Sequence, residues 1–232
     1  MVDKLTIPEY SYADALVIQA MQWSMDVPKI AIVGPSGCGK TTILHLLAGL
    51  LSDVPSPLIS TSSISMMFQE PRLMPWLTVA QNLQLVKPNL TELDIINILD
   101  NIGLSNSQHH YPKQLSGGMQ RRVALARAFC IQPDILLLDE PFISLDAPTA
   151  NECRNTLQRL QQAYGTQFIL VTHDLHEAIE LADKVIFLSK RPAKVILTLN
   201  VIDERRLSNT TQNMVDELLL RHPNLLAGEL GK

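Results

Sequence analysis

Residues 34–41 read Gly-Pro-Ser-Gly-Cys-Gly-Lys-Thr, which fits the phosphate-loop pattern Gly-x-x-x-x-Gly-Lys-Thr. The short apolar run at residues 29–33 precedes this octapeptide and is typical of a buried strand. Residues 42–49 follow it and predict a helix that ends at a glycine. A strand, a glycine-rich turn and a helix in this order form the context in which the pattern binds phosphate. The octapeptide therefore predicts an α/β fold with a nucleoside triphosphate site.

The octapeptide supplies several kinds of phosphate ligand. Its three glycines let the backbone curl so that N–H groups point inward at an anion, and the amino end of the next helix adds a partial positive charge. We expect the Lys40 ammonium to reach the outer phosphates of ATP and the Thr41 hydroxyl to ligate Mg²⁺. We interpret Cys38 as a spacer rather than a nucleophile. The predicted nucleotide-binding residues here are Gly34, Pro35, Ser36, Gly37, Cys38, Gly39, Lys40, Thr41 and Thr42.

Length, charge and cysteine content narrow the class of protein. A chain of 232 residues suits one elaborated α/β domain better than two independent ones. The net charge is -4 and no strongly basic stretch is present, so we expect no nucleic-acid partner. No apolar run approaches the eighteen or so residues of a membrane span, and residues 1–4 lack the apolar core of a secretory signal. Three widely spaced cysteines indicate reduced cytosolic thiols.

The second half of the chain alternates between strand and helix patterns. Strands are predicted at residues 135–138, 168–172 and 185–188, and helices at residues 149–164 and 175–182. This alternation predicts a mostly parallel sheet covered by helices.

The remaining segments are less regular. The first 27 residues suit short strands, and residues 51–65 are typical of a loop or weak strand. Residues 77–103 have helical spacing, residues 194–201 alternate like an edge strand, and residues 210–220 predict a last helix.

Two carboxylates follow the predicted strand at residues 135–138. The carboxyl ends of strands are where open α/β sheets bind ligands. We expect Asp139 to hold the Mg²⁺ shell and Glu140 to polarise a water that attacks the terminal phosphate. The alternative is an ordinary strand end with solvated acids.

Ser116-Gly117-Gly118 precedes a predicted helix at residues 119–129, with Ser116 at the N-cap position. Glycines there expose backbone N–H groups at a helix amino end, which predicts a second anion site. One chain does not need two anion sites to bind one nucleotide. Two chains docked head to tail would use both, because the phosphate loop of one chain and the Ser-Gly-Gly helix of the other would lie on opposite sides of each nucleotide. The alternative is a simple glycine-rich helix start.

The order of these motifs resembles that of the nucleotide-binding subunit of ATP-binding-cassette (ABC) transporters. The resemblance runs from about residue 5 to residue 188, and the Ser-Gly-Gly motif is its most specific element because other phosphate-loop ATPases lack it. Residues 67–79 and 189–195 resemble the nitrate, sulfonate and taurine importer branch, to which thiamine-precursor importers are similar. The motifs are residues 34–41, Gln69, residues 115–120, 135–140, 144–146 and 171–174.

The resemblance implies a phosphate-loop NTPase core with a mostly parallel sheet, a small N-terminal antiparallel β part and a helical subdomain. We expect a single ABC ATPase domain over residues 1–232. Residues 1–76 and 131–200 would form its nucleotide-binding core, residues 77–130 the helical subdomain, and residues 201–232 a C-terminal extension.

The resemblance also implies roles in hydrolysis. Gln69 would complete the Mg²⁺ and water shell, and His173 would contact the γ-phosphate and hold the attacking water. The expected catalytic set is then Glu140, His173 and Gln69, and the expected metal ligands are Thr41, Gln69 and Asp139. A plain loop glutamine and a structural histidine at a strand end are the alternatives.

Further implied roles concern the nucleotide and a second copy of the chain. Ser116 and Gly118, with the glycine between them, would bind the γ-phosphate of the ATP held by the partner chain. Asp146 would communicate across the dimer. Tyr12 is the candidate to stack on adenine; Tyr10 is the other candidate, and a role in the core is also open for this residue.

The implied function is an ATPase subunit that drives an importer. Two copies would close on two ATP molecules and reopen after hydrolysis, and a separate membrane permease would contact Gln69 and residues 73–77. A solute-binding protein would deliver the solute, and the chain would lie in the cytoplasm against the inner face of the cell membrane. The apolar residues 74–76 suit such an interface, with a local core as the alternative.

Other classes of ATPase fit less well. A soluble ABC-class ATPase of DNA repair or translation would carry coiled-coil insertions, two cassettes or a basic face. A nucleotide-binding regulator would lack Glu140 or His173, and the Ser-Gly-Gly motif and His173 argue against a kinase. The chain departs from the family pattern at Arg121, where Gln is usual, and at Ile143, Ser144 and Ala150.

Overall fold

The structure, a computed structural model, describes residues 4–51, 54–59, 62–206 and 210–230. Residues 1–3, which entered the expectation about a secretory signal, lie outside these ranges, as do parts of the segments 51–65 and 201–232. The chain forms two compact units: the first is Met1–Ile64, Leu137–Glu140 and Gln167–Lys232, and the second is Ser65–Leu136 and Pro141–Thr166. The division of the chain at residues 76, 130 and 200 stays a prediction.

The strands in chain order are β1 (Lys4–Ile7), β2 (Tyr10–Tyr12), β3 (Ala15–Ile18), β4 (Met21–Ser24), β5 (Lys29–Val33), β6 (Ile64–Met67), β7 (Ile135–Asp139), β8 (Gln167–Thr172), β9 (Lys184–Leu188) and β10 (Val195–Asn200). The helices are α1 (Lys40–Leu47), α2 (Val79–Gln84), α3 (Glu92–Asn101), α4 (Gly117–Phe129), α5 (Ala147–Tyr164), α6 (Leu175–Leu181), α7 (Val201–Arg205) and α8 (Thr211–Arg221), with 3₁₀ turns at Pro112–Gln114 and Leu225–Ala227.

The principal sheet of the first unit has the strand order β10-β9-β5-β8-β7. β5 pairs in parallel with β8 and with β9, so that Ile30 lies opposite Ile169 and Lys184. β7 and β9 are buried along their whole lengths, as expected for parallel strands covered on both faces. β10 pairs antiparallel with β9 at the edge. The predicted mostly parallel sheet with an edge strand near residues 194–201 is therefore confirmed.

Residues 4–24 form the predicted small antiparallel part. β1 pairs with β4, so that buried Leu5 lies opposite buried Trp23. β2 and β3 form a hairpin whose turn holds Ala13 at a φ of 49°. This hairpin carries Tyr12 and Val17, which form part of the wall of a cavity beside the phosphate loop.

The second unit is mainly helical, and its helices begin at side chains that cap them. Thr78 and Thr91 start α2 and α3 with capping boxes. The helical pattern predicted over residues 77–103 is thus two helices, because the segment between them contains Pro88, which has no N–H to donate. Within the described ranges, no helix has both the length and the apolar character that crossing a bilayer requires.

Candidate functional site

A cavity of about 250 Å³ lies beside the phosphate loop in the first unit. Its walls bring together predicted residues from the loop, the hairpin and the end of β7. Two further wall residues, Val17 and Arg191, were not among the sequence-based candidates. The cavity is lined by Tyr12, Val17, Ser36, Gly37, Gly39, Lys40, Thr41, Thr42, Glu140 and Arg191.

The curl of the loop depends on its glycines. Gly37 and Gly39 have φ angles of 74° and 123°, a backbone region that residues other than glycine rarely adopt. A Cβ on Gly39 would also lie 3.2 Å from Val17 of the hairpin. Cys38 is buried, and this burial raises the pKa of its thiol. The thiol is therefore protonated at neutral pH, which supports its interpretation as a spacer.

Lys40 begins α1, and its ammonium lies inside the curl of the loop. The Nζ atom donates hydrogen bonds to the carbonyl oxygens of Gly34 at 2.8 Å and Pro35 at 3.0 Å. The side chain is buried, and buried charges need such partners. The ammonium therefore stands where an anionic phosphate entering the loop would meet it.

Thr41 and Asp139 form a neighbouring pair of oxygen donors. The Thr41 hydroxyl donates a hydrogen bond to Asp139 Oδ1 at 3.1 Å. Burial raises the pKa of Asp139, the negative charge of Glu140 raises it further, and the bond from Thr41 opposes both effects. A hydroxyl beside a buried carboxylate whose charge is incompletely compensated has the chemistry that Mg²⁺ prefers.

The raised pKa of Asp139 predicts a stability effect. Its folded-state pKa lies above the ordinary value, so its contribution to stability falls as the pH rises through the interval between the unfolded and folded pKa values. Asp139→Asn should therefore raise the melting temperature at pH 7.5 in metal-free buffer by about 2 °C, and by less near pH 4. Thermal unfolding at both pH values measures this.

Asp146→Asn is the matched control for this measurement. Backbone and side-chain hydrogen bonds from Thr149 lower the pKa of Asp146, so its charge favours the fold and its removal should not raise the melting temperature. An unchanged or lower melting temperature of Asp139→Asn at pH 7.5 would contradict the prediction.

Glu140 and His173 follow two neighbouring strands of the sheet, β7 and β8. Glu140 has a φ of 42°, and its N–H donates to the carbonyl oxygen of Val171 at 2.9 Å, which holds this unusual backbone. Its Oε2 atom lies 2.9 Å from His173 Nδ1. The carboxylate faces the cavity, and the half-exposed imidazole is held against it.

The two tyrosines of β2 have different surroundings. Tyr10 is buried, whereas Tyr12 is 47% exposed and lines the cavity. Their rings pack edge to face with centroids 5.0 Å apart. Tyr12 therefore presents an exposed ring to the cavity, and the buried Tyr10 packs against it.

The Ser-Gly-Gly motif and Asp146 lie in the second unit and share a neighbour there. Ser116 caps α4 as predicted, since its hydroxyl accepts the Met119 N–H at 3.3 Å. Asp146 caps α5 by accepting the N–H of Thr149 at 3.0 Å and its hydroxyl at 2.8 Å. A Cβ on Gly118 would lie 2.1 Å from Thr149 Cγ2, so a larger residue there would require the Thr149 side chain to move.

Arg121 binds three backbone carbonyls of the second unit, a role that its departure from the family pattern did not reveal. Its buried guanidinium donates to the carbonyl oxygens of Gln69 at 3.0 Å, Pro141 at 2.5 Å and Ile143 at 2.7 Å. Burial lowers its pKa. The available signal was the spacing to Leu125, four residues on, which puts Arg121 on the apolar face of α4.

Comparisons with known proteins agree with the resemblance. The family model described as ABC transporter matches residues 24–143. Aliphatic sulfonates import ATP-binding protein SsuB 2 of Pseudomonas syringae pv. tomato is 38% identical over 194 residues, which cover 82% of this chain and 84% of the relative. The SsuB protein of Yersinia pestis is also 38% identical, over 84% of this chain and 75% of its own.

A solved structure supports the fold. It is a dimeric structure of a post-hydrolysis state of the ATP-binding cassette MJ0796 bound to ADP and Pi. It matches with a TM-score of 0.68 and 24% sequence identity, over 86% of this chain and 97% of that one. The α/β fold expected from the octapeptide is confirmed. Given the extent of similarity to the family and to its curated relatives, the chain belongs to the ABC transporter family and is one of its ATP-hydrolysing members.

Proposed function

We propose that this chain is the motor subunit of an importer, in which ATP closes a head-to-tail dimer and hydrolysis reopens it. The observation that carries the proposal is a cavity in which the phosphate loop, Tyr12 and Glu140 meet. The import ATP-binding proteins among its relatives support the transport context. The dimer would drive a separate permease from the inner face of the cell membrane.

Nucleotide binding uses groups along the cavity. Tyr12 offers a ring face to adenine, the loop N–H groups donate hydrogen bonds to the phosphate oxygens, and the Lys40 ammonium exchanges its carbonyl partners for phosphate oxygens. Thr41 and Asp139 would hold Mg²⁺, with Gln69 as the further ligand that the family resemblance implies, and the ion would supply positive charge to the phosphates.

Hydrolysis follows from the pair at the ends of β7 and β8. Glu140 accepts a proton from a water whose oxygen bonds to the γ-phosphorus, and the bond from that phosphorus to the bridging oxygen breaks with its electrons leaving on ADP. The contact with Glu140 Oε2 orients the His173 ring, so that it holds the water and the γ-phosphate. The contribution of both residues is positioning and electrostatics.

The Ser-Gly-Gly motif would complete the site of a second copy. The 13-residue helix α4 begins at this motif, and its amino end favours an anion. Thr149 packs against Gly118 and bonds to Asp146, so the motif and the Asp146 loop form one rigid surface for the partner's ATP.

A turn held by hydrogen bonds and a neighbouring groove in the second unit form a surface that could bind the permease. Trp76 is 70% exposed, yet its turn is held by buried Asn82, whose amide bonds to the backbone of Met74, Leu77 and Thr78. A groove of about 310 Å³ next to it is lined by residues that include Phe68, Met74, Leu85 and Val86. An exposed tryptophan on a rigid turn is typical of a protein interface.

Trp76→Ala should leave ATP hydrolysis by the isolated chain within about twofold of wild type and weaken permease association by about tenfold or more. Co-purification of the chain with its permease, followed by titration of the complex, measures this. Leu220→Ala, which removes another exposed apolar side chain, is the control and should retain binding. Equal association of the Trp76 variant and wild type would refute the interface.

One experiment tests the proposed solute class and the proposed solute-binding protein together. We propose aliphatic sulfonates as the solute class, because the relatives import them. The chain would be reconstituted with permease and solute-binding protein in vesicles. Stimulation of ATP turnover by an alkanesulfonate is the expected result. ATP turnover by the chain without any permease association would favour the alternative, a soluble ABC-class ATPase.

A further inference from the structure

We propose that Arg191 binds the adenosine end of the nucleotide and forms, with Tyr12, the base-binding part of the cavity. The inference rests on the proposed function, since it concerns the same ATP site. Arg191 lies in the segment after β9, and its side chain lines the cavity together with Tyr12 and the phosphate loop.

The position of the guanidinium indicates which end of the nucleotide it meets. Its Nε and Nη2 atoms donate to the carbonyl oxygens of Leu16 at 3.3 Å and Ala15 at 3.4 Å. Both carbonyls belong to β3 of the hairpin that carries Tyr12. Lys40, the other cation of the cavity, is held instead by carbonyl oxygens of the phosphate loop. The two cations therefore serve different parts of a bound nucleotide.

The segment that carries Arg191 is held rigidly beside the hairpin. The Ala193 N–H donates to the Val17 carbonyl at 2.8 Å, and the Gln19 N–H donates to the Ala193 carbonyl at 2.9 Å. Ser189 closes the same segment by donating its N–H to the Lys194 carbonyl at 2.9 Å. These backbone hydrogen bonds fix the position of the Arg191 Cα, and the bonds to Leu16 and Ala15 hold its guanidinium. The entropy cost of ordering this side chain when a ligand binds is therefore small.

The chemistry of arginine suits a purine nucleoside. A guanidinium carries five N–H donors, and the Leu16 and Ala15 carbonyls engage two of them. Its planar cation can stack on an aromatic ring or donate to ring nitrogens and ribose oxygens. Together with the exposed face of Tyr12, it offers adenine a second planar surface.

The preceding residue, Lys190, is a matched control with the same charge. Its ammonium pairs with Glu229 Oε1 at 2.7 Å, and it is not among the residues that line the cavity. Replacing Lys190 with Ala thus removes one positive charge from the same segment and leaves the cavity wall in place.

The test compares ATP with inorganic tripolyphosphate, which shares the phosphate chain but has no base or ribose. Isothermal titration calorimetry would use wild type, Arg191→Ala and Lys190→Ala. We expect Arg191→Ala to weaken ATP binding by about tenfold and tripolyphosphate binding by less than about twofold. Lys190→Ala should bind both ligands within about twofold of wild type.

Arg191→Lys keeps the charge and removes the planar fork, so it separates stacking from simple charge. We expect it to retain the wild-type melting temperature and to lose most of the ATP affinity that Arg191→Ala loses. Unchanged ATP affinity in both variants, or an equal loss for ATP and tripolyphosphate, would overturn the inference while the ATP site stands. Failure of wild type itself to bind ATP would overturn the proposed function.

Discussion

Glu140→Gln should lower ATP turnover by at least about a hundredfold while ATP binding persists. Glutamine keeps the shape of the side chain and its contact with His173, but it cannot accept a proton from the attacking water. Because ATP then stays intact between two chains, the variant should accumulate as a dimer. Phosphate release measures the turnover, and light scattering after size-exclusion chromatography with ATP measures the dimer.

The control for this variant is Glu92→Gln, which removes a carboxylate from the exposed start of α3. It should hydrolyse ATP like wild type and remain monomeric under the same conditions. Turnover by Glu140→Gln at the wild-type rate would exclude Glu140 as the proton acceptor. A monomer in the presence of ATP would exclude the head-to-tail dimer as its resting state.

Lys40→Ala should weaken ATP binding by about a hundredfold or more. The ammonium is buried in the phosphate loop beside the Gly34 carbonyl, so we expect its loss to leave the charge of the outer phosphates uncompensated. Titration calorimetry with ATP measures the affinity.

Two comparisons make the Lys40 result specific. Lys113→Ala removes an exposed cation of the second unit and should bind ATP like wild type. Lys40→Arg keeps the charge but places a wider, planar guanidinium in a loop that holds an ammonium. We therefore expect it to recover only part of the ATP affinity. Wild-type affinity in Lys40→Ala would remove the residue from the nucleotide site.

The parts of the site that the sequence predicted are those with local causes. The phosphate loop needs glycines, a lysine and a hydroxyl within eight residues, and its geometry follows from those neighbours. The same holds for Ser116 at the start of α4. Arg191 escaped prediction because it reaches the site through contacts with residues 15 and 16, far away in the chain.

Arg121 and the break between α2 and α3 show the other limits of sequence reasoning. The hydrogen bonds of Arg121 go to backbone carbonyls. Every residue has a backbone carbonyl, so the sequence does not indicate which ones accept these bonds. The apolar residues of 77–103 have helical spacing on both sides of Pro88, because α2 and α3 each bury an apolar face. Periodicity records which side of a segment is buried and not whether the segment is continuous.

The strand order has a consequence for synthesis of the chain. β5 carries the phosphate loop, yet its neighbours are β8 and β9, which follow more than a hundred residues later. At about 5–20 residues per second, a ribosome delivers these partners on the order of ten seconds after β5. During that interval the apolar strand Lys29–Val33 has neither of its neighbours. Nascent chains of this protein should therefore need protection by a chaperone until β9 emerges, and the ability to bind ATP should be acquired only at the end of translation.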